Sequence, residues 1–173
     1  MDVSEVARAA DLLEAQGRTL VELGRGLERE LVRWVPSRGG WCIAEIYGHL
    51  LDEETEDFRL RVASTLEDPG RPWPGIDPEA RVAGRDWASR DLAATLESFA
   101  AARRDSVAWL REQTDADWHR IHLHPRFGAI GARDLLASWL DHDRLHLRQI
   151  LTRLHDASDL IVEGGETAYA GEW

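Results

Sequence analysis

The chain contains no lysine, one cysteine and no stretch of apolar residues long enough to cross a bilayer. Its 21 basic residues are all arginine, against 32 acidic ones, and the net charge is −11. A surface this acidic repels phosphate backbones and anionic lipid, and no basic patch offsets it, so nucleic-acid and membrane partners are not expected. A single thiol, Cys42, excludes an intrachain disulfide and a cysteine-rich structural zinc site. Without about 18 consecutive apolar residues there is no transmembrane helix. No basic N-terminal region followed by an apolar run marks export, so cytoplasmic residence is expected. The sequence also lacks any Glu-x-x-His, the pair from which di-iron bundles are built. Phe and Tyr are few, and β-branched residues rarely alternate with polar ones, which argues against a sheet protein.

What remains is rich in Ala, Leu, Arg and Glu with helical periodicity, and an all-α domain is expected over residues 1–155. At 173 residues the chain can bury roughly 70% of the surface its unfolded form exposes. A first helix is predicted from Ser4, its cap, to about Trp34, weakened by Gly17, Gly24 and Gly26. Pro36 and Gly39-Gly40 break the chain. A second helix follows from Trp41-Cys42 to about Leu66, with Cys42 at the cap and Glu45 placed for a capping box. Residues 68–87 hold four prolines and are predicted to be a long irregular crossover or a loop covering a site. A third helix starts at Ser89 or Asp91 and runs through Leu110, and a fourth spans about Ala132 to Leu154. Residues 114–131 carry a turn and three histidines, with no clear shape. The acidic tail, 156–173, is expected to be loosely ordered.

His142 and His146 lie four residues apart, and such residues share a helix face with Cβ atoms about 5–6 Å apart. His49, on the apolar side of the second helix, can supply a third nitrogen. Inward imidazoles need a common partner, and a divalent ion provides it while keeping a coordination place open. Glu53, one turn beyond His49, is the candidate catalytic carboxylate: as a fourth ligand, as a holder of bound water or of His49, or as acceptor of a displaced proton. The competing view makes it a solvated helix carboxylate among Asp52, Glu54, Glu56 and Asp57. Asp143, about 100° around the helix from His142, is expected to face outward. His119, His122 and His124 form a rival metal cluster. Six tryptophans, at 34, 73, 87, 109, 118 and 173, exceed what one small core readily buries and suggest self-association.

Three segments resemble the DinB/YfiT superfamily: Gly40 to Leu50 (GWCIAEIYGHL), His124 to Gly128 (HPRFG) and Trp139 to Ile150 (WLDHDRLHLRQI). The resemblance implies an antiparallel four-helix bundle with a long crossover between helices 2 and 3, frequent homodimers, and a zinc or nickel ion on His49, His142 and His146. Characterised relatives include transferases and isomerases that use a low-molecular-weight thiol, and the leading expectation is thiol transfer to small electrophiles. A hydrolase on the same three histidines and a non-enzymatic metal-binding stress protein are the alternatives. Cys42 stands where Ser or Thr is usual, and Gly131 stands where a hydroxyl residue commonly caps the last helix. Arg144 and Arg148 could meet the carboxylates of a thiol cofactor or remain solvated.

Overall fold

The computed structural model describes residues 1–171, so Trp173 lies outside it. Four long helical arms form the bundle: α1 (Val3–Gly24), α3 with α4 (Ile43–Glu56 and Phe58–Glu67), α6 (Leu92–Arg111) and α7 (Ala132–Asp156). Short helices α2 (Arg29–Arg33), α5 (Pro78–Arg85) and α8 (Ser158–Ile161) lie in the connections and the tail. α1 packs on α6 and α7, α3 packs on the same two helices, and α4 packs on α7. A four-helix bundle with a long crossover after its second arm is thus the observed architecture.

The predicted elements differ from the observed ones where local chemistry outweighs periodicity. Asp2, not Ser4, caps α1: its carboxylate accepts the Glu5 N–H at 2.8 Å and Glu5 accepts the Asp2 N–H at 2.8 Å. α1 stops at Gly24 because Gly26 turns the chain with φ +78°, and α2 is a separate piece. The second arm breaks at Asp57, with φ −126° and ψ −89°, and this turn re-aims the chain so that Phe58 faces α7. In the crossover, Asp77 accepts the Ala80 N–H and Pro78 occupies the first turn of α5, where its missing N–H costs nothing. The expectation of no regular structure there was therefore wrong. Residues 121–131 form a hairpin of β1 (Ile121–His124) and β2 (Gly128–Gly131), with His124 paired to Gly128. Periodicity gives little warning of strands only four residues long.

The core is divided. One apolar cluster joins Leu13, Val62, Val107, Leu110, Leu136 and Trp139, and a second joins Leu20, Ile46, Tyr47, Leu50, Phe99 and Ile150. Between them on the four arms lie Gly17, Glu54, Arg103 and Asp143, so the bundle carries a buried charged layer across its middle. Arg103 donates to Asp143 at 2.6 and 3.0 Å, to Glu54 at 2.7 Å and to the Leu13 carbonyl at 3.0 Å. Trp139 Nε1 donates to Glu54 at 3.1 Å. Gly17 is small because a Cβ there would lie 2.8 Å from Arg103 Cγ. Asp143 is 1% exposed, which corrects the outward placement. The centre of the buried stripe on α7 passes through Trp139 and Asp143, and His142 and His146 flank it.

Candidate metal centre

α3 and α7 bring His49, His142 and His146 together just beside the charged layer. His49 Nε2 is 3.2 Å from His142 Nε2, and His146 Nε2 is 3.1 Å from the same atom. Their ligand atoms all fall within 4.8 Å of one another, and no other such group occurs among the described residues. An imidazole nitrogen offers one proton or one lone pair in the ring plane, so His142 Nε2 cannot make good hydrogen bonds to both neighbours. His146 Nδ1 lies 2.7 Å from Gln149 Oε1, which fixes the proton on Nδ1 and leaves the Nε2 lone pair facing the cluster.

These residues fit a metal ion. Metal–nitrogen bonds of about 2.0–2.1 Å in a tetrahedral shell place ligand nitrogens about 3.3–3.4 Å apart, close to the spacings found. Burial lowers His49 to about 3 and His142 to about 2, and it lowers His146 as well. All three rings are therefore neutral at pH 7, the form that binds metal without proton competition.

The surroundings hold the rings. Trp41 sits 4.8 Å from His49 and stacks with His146 at 6.4 Å, and Phe58 lies 4.9 Å from His142. Trp41 Nε1 donates to Glu79 on α5 at 3.0 Å. Asp52 is fully buried, accepts from Trp87 Nε1 at 3.1 Å and pairs with Arg85, while Arg85 also reaches Glu56 at 2.6 Å. The crossover is thereby clamped over α3. Gly48 makes this possible, since a Cβ there would stand 2.1 Å from Trp87 Cγ.

Glu53 is 5% exposed, which corrects the view of it as a solvated carboxylate. Its Oε1 stands 3.8 Å from His49 Nδ1, beyond hydrogen-bond length and on the ring nitrogen turned away from the cluster. Neither atom has a hydrogen-bond partner. Burial, reinforced by the Asp57 carboxyl one turn on, pushes Glu53 up to about 8.

Other sequence candidates are placed elsewhere. His119 is exposed on a turn, while His122 is buried and stacks on Trp73 with ring centroids 3.7 Å apart. The rival trio thus forms no metal cluster. Burial raises the Cys42 thiol to about 11, so it is no nucleophile near neutral pH. Trp87 and Trp118 are buried and Trp34, Trp73 and Trp109 half-buried, so these five do not furnish the exposed aromatics invoked for self-association. Sequence reasoning missed Trp41, Phe58, Gln149 and the whole Arg103 network. The network had a signal: Arg103 stands on the stripe Phe99, Arg103, Val107, Leu110, where a charge cannot be buried without partners.

Fold and site together define a helical bundle with a three-histidine cluster able to hold a metal ion. The chain belongs to the DinB superfamily, whose family model matches residues 12–150. Among solved structures it is similar to YfiT from Bacillus subtilis, with a TM-score of 0.74 and 18% identity over 90% of this chain and 87% of that one. YfiT is described as a probable metal-dependent hydrolase with an unusual four-helix bundle topology. At that identity the likeness is one of fold. No curated protein matches the sequence. Among the described residues no helix is long and apolar enough to cross a membrane.

Proposed function

We propose that His49, His142 and His146 hold a divalent ion, zinc or nickel, and that the protein is a metal-dependent enzyme transferring a low-molecular-weight thiol to small electrophiles. The observation that carries this reading is the convergence of three neutral imidazoles, with the Nε2 atoms of His49 and His146 at 3.2 and 3.1 Å from His142 Nε2. A divalent ion on three neutral imidazoles keeps its full charge and makes a bound thiol or water acidic near neutral pH. Gln149 fixes the tautomer of His146. Glu53 lies behind His49, its Oε1 3.8 Å from Nδ1, within a small side-chain movement of bonding to the ring, so we assign it a positioning role. Trp41 and Phe58 pack against the rings of the cluster and help hold them in place. Hydrolysis is the second reading, favoured by the description of YfiT. A homodimer and cytoplasmic residence belong to the same proposal.

The test is metal analysis of the purified protein beside His49→Ala and His142→Ala, followed by thiol and ester panels on the loaded form. One divalent ion per chain, lost in both variants, with thiol conjugates formed only by loaded protein, is the expected result. Metal content unchanged in the variants overturns the site. Ester cleavage without thiol dependence selects hydrolysis, and bound metal with no turnover selects a non-enzymatic role.

A further inference from the structure

A second concave site, about 600 Å³, opens between the β1–β2 hairpin and the crossover. Arg61, Trp73, His122, His124, Arg126 and Phe127 line it, and none of its lining residues is acidic. In a chain with 32 acidic residues and a charge of −11, a cavity whose ionisable lining groups are all arginines and histidines stands apart from the rest of the surface. Strand alternation explains the histidines: His122 and His124 face one side of β1, and Ile121 and Leu123 face the other, exposed.

The hydrogen bonds define what these groups offer. His124 Nδ1 accepts the backbone N–H groups of Arg126 and Phe127, both at 3.1 Å, so the neutral ring carries its proton on Nε2 as a donor. His122 Nδ1 donates to the Pro69 carbonyl at 2.9 Å, which anchors the ring against Trp73. Arg61 lies 5.0 Å over the Trp73 ring and pairs with Asp57, so its charge is already matched. Arg126 lies 5.2 Å from the Phe127 ring and has no ion-pair partner among the described residues. His122 and Arg61 already cover the Trp73 ring, so the cavity joins the exposed Phe127 ring to one unmatched guanidinium and an imidazole donor.

We infer that this cavity binds a small aromatic anion, its ring against the exposed Phe127 and its carboxylate or phosphate on Arg126 and His124. Charge-assisted bonds to Arg favour such oxyanions, and a ring replaces water over the exposed Phe127. This binding is independent of the metal centre, since none of the three clustered histidines lines the cavity.

The test is calorimetric titration of the full chain with phenyl phosphate, benzoate, inorganic phosphate and benzyl alcohol. Saturable binding of phenyl phosphate or benzoate is expected, weaker binding of inorganic phosphate, and none of benzyl alcohol; whichever anion binds better identifies the preferred head group. Arg126→Gln, at an exposed position, should weaken the anions about tenfold, and His146→Ala should leave them unchanged. In histidine ¹⁵N spectra the His122 and His124 signals should move and that of His142 should not. The inference falls if neither aromatic anion saturates by about 10 mM, or if Arg126→Gln has no effect. It falls equally if benzyl alcohol binds as well, or if His146→Ala abolishes binding, which would place the anion at the metal centre.

Discussion

Replacing Arg103 by Met should cost more stability than any other single exposed or buried arginine change, and the cost should depend on pH. The guanidinium is 4% exposed and, among the described residues, is the only cation that bonds to both Glu54 and Asp143. Met fills much of the volume but leaves two buried carboxylates without a counter-charge, a loss of about 3–5 kcal/mol. The stranded groups can escape by taking up protons. For an aspartate of ordinary pKa about 3.9 this costs about 4 kcal/mol at pH 7 and about 1.5 kcal/mol at pH 5. Burial already raises Asp143 in the intact protein, so protonation is its natural exit. Urea unfolding should therefore show a loss of about 3–5 kcal/mol at pH 7 that shrinks by about 2 kcal/mol at pH 5, against a total stability of about 5–15 kcal/mol. Taking the difference from wild type at each pH cancels the titration of the histidines. Adding Glu54→Gln and Asp143→Asn should restore part of the loss at pH 7. A loss below about 1 kcal/mol, or one that is the same at both pH values, would refute the charged layer as described.

Two further outcomes follow from the same geometry. In metal-stripped protein the histidine cluster should make stability fall as pH drops through the unfolded histidine value of about 6.5. His49 and His142 are held down to about 3 and about 2, so the unfolded chain binds protons that the folded one refuses. At pH 5.5 these two groups should remove about 2–3 kcal/mol relative to neutral pH, read by urea unfolding, and a flat profile would contradict their neutral burial. Gly48→Ala drives a methyl group to 2.1 Å from Trp87 Cγ, so the indole must leave its bond to Asp52. A loss of about 1–3 kcal/mol with an altered near-ultraviolet circular dichroism spectrum is expected, and an unchanged spectrum and melting temperature would show that the crossover is not seated on α3 as found.

The stripes of Leu, Val and Ile made the four arms legible, because helix periodicity is a local property. The pair His142 and His146 was legible for the same reason, since four residues return a side chain to the same face. Asp143 was misplaced because a stripe is read only to within a residue: its centre is set by which neighbours pack against it, and here Arg103 draws Asp143 inward. The short hairpin and α5 were hidden because they depend on caps, a proline in the first turn and pairing partners more than on pattern.

By itself the order of residues determined the helical arms, the acid-rich surface and which imidazoles were free to face inward, all consequences of local spacing and composition. Only the folded bundle decided that His49 reaches His142 and His146, that Glu53 stands behind a ring rather than within the histidine cluster, and that His122 stacks on Trp73. Those outcomes depend on contacts between segments far apart in the chain, whose distances no local rule fixes.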